Sequence, residues 1–345
     1  MKKLKYLLLI IPILILASCN KTSVVNVSSN RSISYDSYSI SETNRDNALK
    51  SCISLYDKSS NYFFSGVITY EDRNYYYAST YGKQLTSGYI KFSTATLYNG
   101  ESTNVTYIGT DSKNNIAVYK FKKSEELYVA KGSTKELIKG ENVMSISTPT
   151  ISDSSTVNTI KTGIISNISK GCFGTSIELS VSELGASIFD TEGNLLGIST
   201  GVVSTSQDIT YEDELAYYHV IGVNQTTTYE LVYNVSMDII KANSDITRGL
   251  MGITVTNYEN AVLAYSSIIN ESDTPYVTIV SVSENSAASA HNIQAGFYVT
   301  KIDGNTVSRL TDLNYYMARK NKGDTVKLTC LNLSFMEIEY TLTLR

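Results

Sequence analysis

Short apolar runs separated by turn residues fill the chain between residues 47 and 223. The runs include SGVITY at 65–70, YIKF at 89–92, IAVYKF at 116–121 and VMSI at 143–146. Turn-forming pairs such as Asn99-Gly100 and Gly193-Asn194 separate them. Apolar runs of this length and spacing are typical of an all-β sandwich or barrel. We therefore predict that this part of the chain is mainly β.

The spacing of apolar residues changes near residue 226. Between 226 and 243 they recur at steps of three and four residues, which predicts a connecting helix. Strands are predicted to resume at Arg248, and a further helix is predicted at 310–320, with Thr311 as its cap. This order of elements indicates two domains joined by a helical segment.

The first 19 residues have the pattern of an export signal. Three lysines precede an apolar run at 6–16, which is too short to cross a bilayer as a helix and is typical of a secretory signal. The run ends in Leu-Ala-Ser-Cys, which resembles a bacterial lipobox. That resemblance implies a signal peptide at 1–19, a lipid on Cys19 and anchoring on the extracytoplasmic face of the bacterial cell membrane. Residues 20–45 are rich in serine, asparagine and threonine, so we predict a flexible tether there.

Composition narrows the classes of function. The chain has 345 residues, of which 42% are hydrophobic and 18% charged, so it can form packed domains. The net charge of -4 is spread without long basic runs, which argues against nucleic-acid binding. Cys52, Cys172 and Cys330 are odd in number and far apart, which indicates no disulfide framework, although a single bridge stays open. With only two histidines and no metal-ligand spacing, we expect neither a metal nor another cofactor.

Five short segments of the first domain form an ordered set. They are SGVI at 65–68, GTDSKNNIAV at 109–118, KGENVMSISTP at 139–149, TGIIS at 162–166 and GNLLGI at 193–198. In this order they resemble motifs of the HtrA family, which are trypsin-like serine proteases with a C-terminal PDZ domain. The resemblance runs from about residue 47 to the end of the chain.

The resemblance implies a mainly β architecture in defined parts. It places a trypsin-like double six-stranded β-barrel at 46–224, a helical linker at 225–247 and a PDZ domain at 248–345. The PDZ domain is expected to be a β-sandwich with short helices. Members of the family often form trimers, so the resemblance leaves a homo-oligomer as an open expectation.

The residues that carry catalysis in this family are replaced at the matching positions. A serine protease needs a serine nucleophile, a histidine base and an aspartate that orients the histidine. Aligning the segments places Tyr81 at the histidine, Asn115 at the aspartate and Leu184 at the serine. Tyrosine is a poor base at neutral pH, asparagine carries no charge and leucine has no attacking atom. Ser182 and Glu183 alter the loop that supplies the oxyanion hole, so we predict a protease fold without catalytic residues.

Substitute catalytic groups have few candidates. Ser182, Ser187 and Cys172 could act as nucleophiles only with a base beside them. The two histidines are His219, in the expected last strand of the barrel, and His291, in the second domain. We interpret His219 as a strand residue and His291 as a surface residue, so a rescued triad is not expected.

The second domain begins with RGLMGITV at 248–255, which resembles the entry of HtrA-type PDZ domains. Glycines in this segment allow backbone angles that turn successive N–H groups toward one anion. The resemblance implies that a peptide adds as a strand beside this segment, with its terminal carboxylate at those N–H groups. The predicted peptide-binding residues are Gly249, Leu250, Met251, Gly252 and Ile253, together with Leu313, Tyr316 and Met317 on the helix at 310–320.

These observations predict a membrane-anchored, catalytically inactive HtrA-like protein that binds peptides or protein C-termini through its PDZ domain. Two alternatives stay open. The chain could be an active serine endopeptidase whose catalytic residues are misplaced in the alignment, or a structural surface lipoprotein whose cleft is filled by side chains. Assays of proteolysis and of peptide binding separate the three hypotheses.

Overall fold

The structure, a computed structural model, describes residues 40–57, 62–82, 84–85, 88–123, 127–147, 150–151, 155–156, 158–180, 183–203, 221–256 and 277–345. The predicted signal peptide with Cys19, and the predicted tether up to residue 39, lie outside the described residues. Within those ranges, no helix is both long enough and apolar enough to cross a membrane.

The described chain begins with a helix, α1, at Glu42–Ser51. The Ser41 hydroxyl accepts a hydrogen bond from the Asn44 N–H at 3.2 Å and thereby caps the start of the helix. Folded structure therefore starts a few residues before the predicted domain boundary at residue 46. A capping serine, rather than an apolar period, is the sequence signal for this helix.

A seven-stranded antiparallel sheet forms the first half of the first domain. Its strands are β1 (Cys52–Asp57), β2 (Tyr62–Glu71), β3 (Tyr75–Tyr81), β6 (Thr94–Thr96), β7 (Ser102–Asn104), β8 (Thr106–Asp111) and β9 (Ile116–Lys122), while β4 (Gln84–Leu85) and β5 (Gly88–Tyr89) form a separate hairpin. The order across the sheet is β7-β6-β1-β2-β3-β9-β8. Within the described residues this sheet is an open half-barrel, where a closed barrel of six strands was predicted.

The second half of the first domain is a closed six-stranded barrel, as predicted. Its strands are β10 (Asn142–Ser147), β13 (Thr159–Ser169), β14 (Cys172–Ser180), β15 (Ser187–Phe189), β16 (Leu195–Val203) and β17 (Ile221–Thr228), and a short pair, β11 (Thr150–Ile151) and β12 (Ser155–Thr156), lies apart from it. The order around the barrel is β10-β13-β14-β17-β16-β15.

Each half of the first domain has its own apolar core. The core of the sheet contains Phe64 and Tyr119, and that of the barrel contains Phe173 and Ile188. The run at 89–92 was predicted to be a strand, but only Tyr89 lies in one. Ile90 and Phe92 are buried in the core of the sheet instead, so their hydrophobicity reflects packing of a loop.

Helix α2, at Tyr229–Ala242, follows β17 and packs against both halves of the first domain. Val232, Val235 and Ile239 are buried, and the helix packs against β8 and β9 of the sheet and against β16 and β17 of the barrel. The Ser236 hydroxyl lies 2.7 Å from that of Ser79 in β3, which adds a polar contact. The helix starts three residues later than predicted, because residues 226–228 complete β17 and so belong to the barrel rather than to the linker.

The C-terminal domain is a twisted antiparallel sheet covered by a short helix. Its strands are β18 (Ile253–Thr256), β19 (Val277–Val282), β20 (Tyr298–Ile302), β21 (Asn305–Thr306), β22 (Thr325–Leu331) and β23 (Glu337–Thr343). They lie in the order β18-β19-β20-β22-β23, with β21 paired to β20. Helix α3 spans Leu310–Met317, and a 3₁₀ turn spans Ser289–His291.

The start of α3 is capped differently from the prediction. The Asp312 carboxylate accepts hydrogen bonds from the Ser308 and Arg309 N–H groups at 2.9 and 3.0 Å. Thr311 lies inside the first turn, and its hydroxyl has no hydrogen-bond partner in the described part of the chain. A carboxylate at the third helical position reaches back over the turn, so Asp312 takes the role that was assigned to Thr311.

Candidate functional site

Two of the predicted triad positions are neighbours in the first sheet. Strands β3 and β9 pair so that Tyr81 lies opposite Ile116. The Gly82 N–H donates to the Asn115 carbonyl oxygen at 2.9 Å, which places Asn115 beside the end of β3. Asn115 has a φ of 53°, a left-handed conformation that asparagine tolerates better than most residues. Strand pairing therefore brings Tyr81 and Asn115 together at one end of the neighbouring strands β3 and β9.

The third position, Leu184, is packed into the interior. Its side chain is only 3% exposed and belongs to the apolar core of the sheet, against which Tyr81 also packs. The Tyr81 ring meets the Phe64 ring edge to face, with 5.2 Å between centroids. The Leu184 carbonyl oxygen accepts a hydrogen bond from the Ser65 N–H at 3.0 Å. The positions predicted for the base and the nucleophile therefore lie in one closed apolar cluster.

Glu183, next to Leu184, is buried and fully bonded. Its carboxylate accepts hydrogen bonds from the Ser147 hydroxyl, the Ser180 N–H and the Lys161 ammonium, each at 2.8 Å. Burial alone would raise the pKa of Glu183, but these donors and the Lys161 charge lower it below its usual value. A carboxylate kept charged here opposes the negative charge that develops on an oxygen during peptide hydrolysis.

The backbone of Gly185 is also committed within the fold. Its N–H donates to the Ser199 carbonyl oxygen at 2.8 Å. Its φ is 83°, and a Cβ there would lie 1.9 Å from the Ser65 carbonyl oxygen, so no other residue fits. Ser182, the other predicted replacement in this loop, lies outside the described residues.

Of the predicted substitute nucleophiles, Ser187 and Cys172 lie in the described part of the chain, and neither is hydrogen-bonded to a histidine there. Ser187 lies in the barrel beside Cys52, and burial raises the pKa of Cys52 to about 12. Burial also raises the pKa of Cys172. His219 lies outside the described residues, and His291 is exposed on the C-terminal domain, where its ring bonds to a backbone carbonyl. Across the described ranges, no hydrogen bond joins an imidazole to a serine or cysteine side chain.

The cysteines and acidic residues suggest no further chemistry. Cys52, Cys172 and Cys330 are all unpaired thiols. Within the residues that the structure describes, no cluster of histidine, cysteine, aspartate or glutamate could hold a metal ion.

A second site opens in the C-terminal domain, between β18 and α3. It is a groove with a cavity of about 230 Å³. Six of the eight predicted peptide-binding residues line it: Leu250, Met251, Gly252, Ile253, Leu313 and Met317. Among the described strands β18 pairs only with β19, so its other edge is open to an added strand. The groove combines an unpaired strand edge with an apolar wall.

The loop that leads into β18 turns backbone donors toward the groove. The carbonyl oxygens of Met251 and Gly252 accept hydrogen bonds from the Ala288 and Ser283 N–H groups, at 2.9 and 2.8 Å. The N–H and C=O of a trans peptide point in opposite directions. The N–H groups of Gly252 and Ile253 therefore face away from those partners. Gly252 has a φ of 77°, which allows this turn.

Gly249 has a different role from the predicted one. Its N–H donates to the Lys320 carbonyl oxygen at 2.9 Å, and the Leu250 N–H donates to the Arg345 carbonyl oxygen at 3.0 Å. Its φ is not positive, and a Cβ there would lie 2.5 Å from the Asn321 carbonyl oxygen. Gly249 is needed for close packing of two backbone segments, so its assignment to the anion-binding loop is corrected.

Tyr316 lies on α3 but outside the groove, which also corrects the prediction. Its hydroxyl bonds to the Lys170 ammonium of the barrel, and Lys170 Nζ lies 4.4 Å from the centroid of its ring. It lines a separate cavity together with Glu230 and Leu231 of α2. Adjacent helical residues point about 100° apart, so Tyr316 cannot share the face of Met317.

A buried ion network joins the groove to the first domain. Arg248 is 4% exposed, and its Nε donates to Asp111 Oδ2 at 2.7 Å. Its other nitrogens donate to Asp238 at 3.0 Å and to the Asn321 side chain at 2.9 Å. Arg319 completes the network with a bond to Asp238 at 2.7 Å. The residue that precedes the loop is therefore fixed against the turn between β8 and β9.

Lys113, from the turn between β8 and β9, also lines the groove. Sequence reasoning missed this residue because it belongs to the first domain. No periodicity or motif relates a turn of one domain to a binding loop of another. Only the packing of the domains shows that Lys113 and Met251 border the same cavity.

Comparison with known proteins agrees with this geometry. Residues 249–332 match the family model of the PDZ domain. Serine protease Do-like HtrA of Lactobacillus helveticus is 26% identical over 246 residues, which are 68% of this chain and 57% of that protein. The probable periplasmic serine endoprotease DegP-like of Brucella suis biovar 1 (strain 1330) is 24% identical over 246 residues, which are 68% of this chain and 44% of that protein. The chain thus spans little more than half of the first relative and less than half of the second.

Solved structures of similar fold cover almost the whole chain. HtrA-type protease AlgW with a tripeptide has a TM-score of 0.63 at 21% identity and covers 88% of this chain and 96% of that one. The same protease with a decapeptide has a TM-score of 0.61 at 19% identity and covers 90% and 99%. The C-terminal domain is a PDZ domain. The chain as a whole has the fold of an HtrA-type trypsin-like serine protease followed by that domain, which confirms the predicted fold.

Proposed function

We propose that this protein is a catalytically inactive HtrA-like protein that binds peptides or the C-terminal ends of proteins in its PDZ groove. The observation that carries the proposal is the groove itself. It has an open strand edge, an apolar wall from Leu313 and Met317, and the N–H groups of Gly252 and Ile253 at the start of β18. A peptide added along β18 would bring its terminal carboxylate to these donors.

The similar structures support this class of ligand. The protease AlgW, which shares the fold, was solved with a decapeptide and with a tripeptide. Each wall of the groove carries apolar side chains, Ile253 and Val255 on one side and Leu313 and Met317 on the other, which suits a peptide with an apolar C-terminal side chain.

The absence of hydrolysis is supported by the cleft of the first domain, that is, by the surroundings of Tyr81, Asn115 and Leu184. Tyr81 and Leu184 lie in an apolar cluster, and Asn115 stands beside them without a charge. Neither phenol nor carboxamide can take over the proton transfer and charge stabilisation that a serine protease needs. Removing the members of a triad lowers turnover by about 10⁶-fold in a well-studied protease.

The place of action follows from the N-terminal sequence. A lysine-rich start, an apolar run and the lipobox-like segment ending in Cys19 support export and lipid anchoring. The relative from Brucella suis is named as periplasmic. We infer that the protein is held by its lipid on the extracytoplasmic face of a bacterial membrane.

The binding proposal is tested by calorimetric titration of the full chain, in detergent, with peptides that end in an apolar residue. We expect saturable binding with a 1:1 stoichiometry. Leu250→Asp should weaken it at least tenfold, because it places a negative charge at the groove where the carboxylate binds. The Leu250 side chain is 58% exposed, so the variant should fold normally.

Leu333→Asp is the matched control. Leu333 is also in the PDZ domain and is 59% exposed, but it does not line the groove. Its affinity for peptide should equal that of the unmodified chain. Saturable binding that Leu250→Asp and Leu333→Asp leave equally strong would contradict the proposed site.

The main alternative is an active serine endopeptidase, which the names of the relatives favour. It predicts that the purified chain cleaves casein and that a covalent serine reagent blocks the cleavage. Cleavage with this sensitivity would overturn the proposal of an inactive site. If neither cleavage nor peptide binding occurs, the third hypothesis, a structural surface lipoprotein, gains support.

A further inference from the structure

Lys113, on the border of the groove, is a cation that takes no part in the ion network of the domain interface. Arg248 precedes the binding loop, but it is buried, and Asp111, Asp238 and Asn321 occupy its nitrogens. It therefore cannot reach a ligand. Lys113 borders the cavity together with Met251 and forms no ion pair within 4 Å in the described part of the chain.

The turn that carries Lys113 is held rigidly. The Asp111 carboxylate accepts hydrogen bonds from the Lys113 and Asn114 N–H groups, both at 3.1 Å. The Asn114 amide group donates to Asp111 and to the Ala318 carbonyl oxygen, both at 2.8 Å. Ala318 follows directly after α3, so the turn is tied to the helix that forms one wall of the groove.

The surroundings of Lys113 favour an added anion. Loss of solvent around the ammonium lowers the pKa of Lys113; Asp111 offsets part of this change, and the Arg248 charge adds to it. A cation that has lost part of its solvent interacts more strongly with a negatively charged ligand than a fully solvated cation does. The backbone N–H groups of Gly252 and Ile253 also favour a negatively charged group. The Lys113 charge and these donors therefore favour the same ligand.

We propose that Lys113 binds the terminal carboxylate of the peptide in the PDZ groove, so that the recognition site is built from both domains. This inference rests on the proposed peptide binding. It adds that the protease-like domain contributes directly to specificity for a free C-terminus. A PDZ domain separated from the first domain would lack this charge.

The test compares two peptides of one sequence, with a free C-terminal carboxylate and with a C-terminal amide, on the full chain and on Lys113→Met. We expect the full chain to prefer the free acid about tenfold or more, since a charge-assisted hydrogen bond is lost with the amide. Lys113→Met should lower affinity for the acid by about tenfold and leave affinity for the amide unchanged. Lys113→Arg should keep most of the preference, and Lys113→Glu should weaken acid binding further.

Lys139→Met is the control for net charge. Lys139 is an exposed residue of the first domain, borders none of the described cavities and changes the charge of the chain by the same amount. Its binding of both peptides should be unchanged. The Lys113 ammonium forms no ion pair with a described residue, so its variants should unfold at the temperature of the unmodified chain.

The outcomes separate this inference from the proposal on which it rests. If the unmodified chain binds peptide but Lys113→Met does not change its preference for the acid, Lys113 is not part of the site while peptide binding stands. If Lys113→Met weakens acid and amide equally, its role is not recognition of the carboxylate, and the inference is overturned. If the unmodified chain binds neither peptide, the proposed function itself fails.

Discussion

The cleft of the protease-like domain and the groove of the PDZ domain contain similar side chains but differ in how accessible these are to a ligand. In the cleft, Leu184 is 3% exposed and Tyr81 packs beside it, with the nearby Glu183 carboxylate fully bonded. In the groove, Leu313 is equally buried, but it borders an open cavity next to an unpaired strand edge. The two regions differ in whether their apolar and polar groups already have partners within the fold. The side chains of the cleft are packed and hydrogen-bonded within the fold, whereas the N–H groups of Gly252 and Ile253 and the side chain of Lys113 border an open cavity.

The largest expected effect comes from a change in the ion network at the domain interface, which holds the groove against the first domain. Arg248→Met should leave Asp111 buried without its charged partner, which typically costs about 3–5 kcal/mol of unfolding free energy. Denaturation in urea, followed by circular dichroism, measures this cost. Peptide binding should fall as well, because Arg248 fixes the start of the binding loop.

Arg319→Met is the control for that prediction. Arg319 also binds Asp238, but its side chain is 48% exposed, so we expect a loss of less than about 1 kcal/mol. If the two variants lose the same stability, the buried network is not what joins the loop to the first domain.

A matched pair of leucines tests the contrast more sharply. Leu184→Ala and Leu313→Ala remove the same atoms from sites of equal burial, and each should cost about 2–4 kcal/mol of unfolding free energy. Only Leu313→Ala should also weaken peptide binding, since only Leu313 borders the groove. Urea denaturation of both variants measures the unfolding free energy, and calorimetric titration measures the affinity for peptide. Equal loss of peptide affinity in both would remove the distinction between cleft and groove.

Glu183 gives a smaller effect that depends on pH. Its folded pKa lies below its usual value of 4.5, so its bonds stabilise the fold above pH 4.5 and this contribution is lost as the pH falls through the lower folded pKa. Glu183→Gln should cost about 1–2 kcal/mol at neutral pH, where hydrogen bonds to a charged group are lost. It should also make stability fall less steeply below pH 4.5. Glu178→Gln, at an exposed position nearby, should leave the slope unchanged.

The order of elements along the chain and the segments that border the groove could be predicted because they depend on local patterns. Apolar runs marked strands such as β2 and β9, and the segment at 248–255 marked the loop that leads into β18. Six of the eight predicted binding residues border the groove, because the resemblance of 248–255 to a PDZ entry and the helical spacing at 310–320 both place residues there. Folded structure starts before the predicted boundary at residue 46 because Ser41 caps a helix there, which no apolar pattern indicates.

What the sequence could not show depends on contacts between distant segments. Gly249 looked like part of the anion loop, but its role is set by the backbone of residue 321. Lys113 joined the groove only through the docking of the two domains. In both cases the deciding neighbour is more than 70 residues away, so no local pattern carries the information.

Tyr316 provides the smallest and most specific prediction. The sequence placed it in the groove, yet its hydroxyl bonds to Lys170 of the barrel and its ring lines a different cavity. Tyr316→Phe removes one exposed polar contact, so it should cost less than about 1 kcal/mol of unfolding free energy and leave peptide affinity unchanged. Met317→Ala, one residue further along α3, should reduce that affinity severalfold in the same titration. If Tyr316→Phe lowers affinity as much as Met317→Ala, the ligand contacts the domain interface as well as the groove. The binding site would then include both cavities.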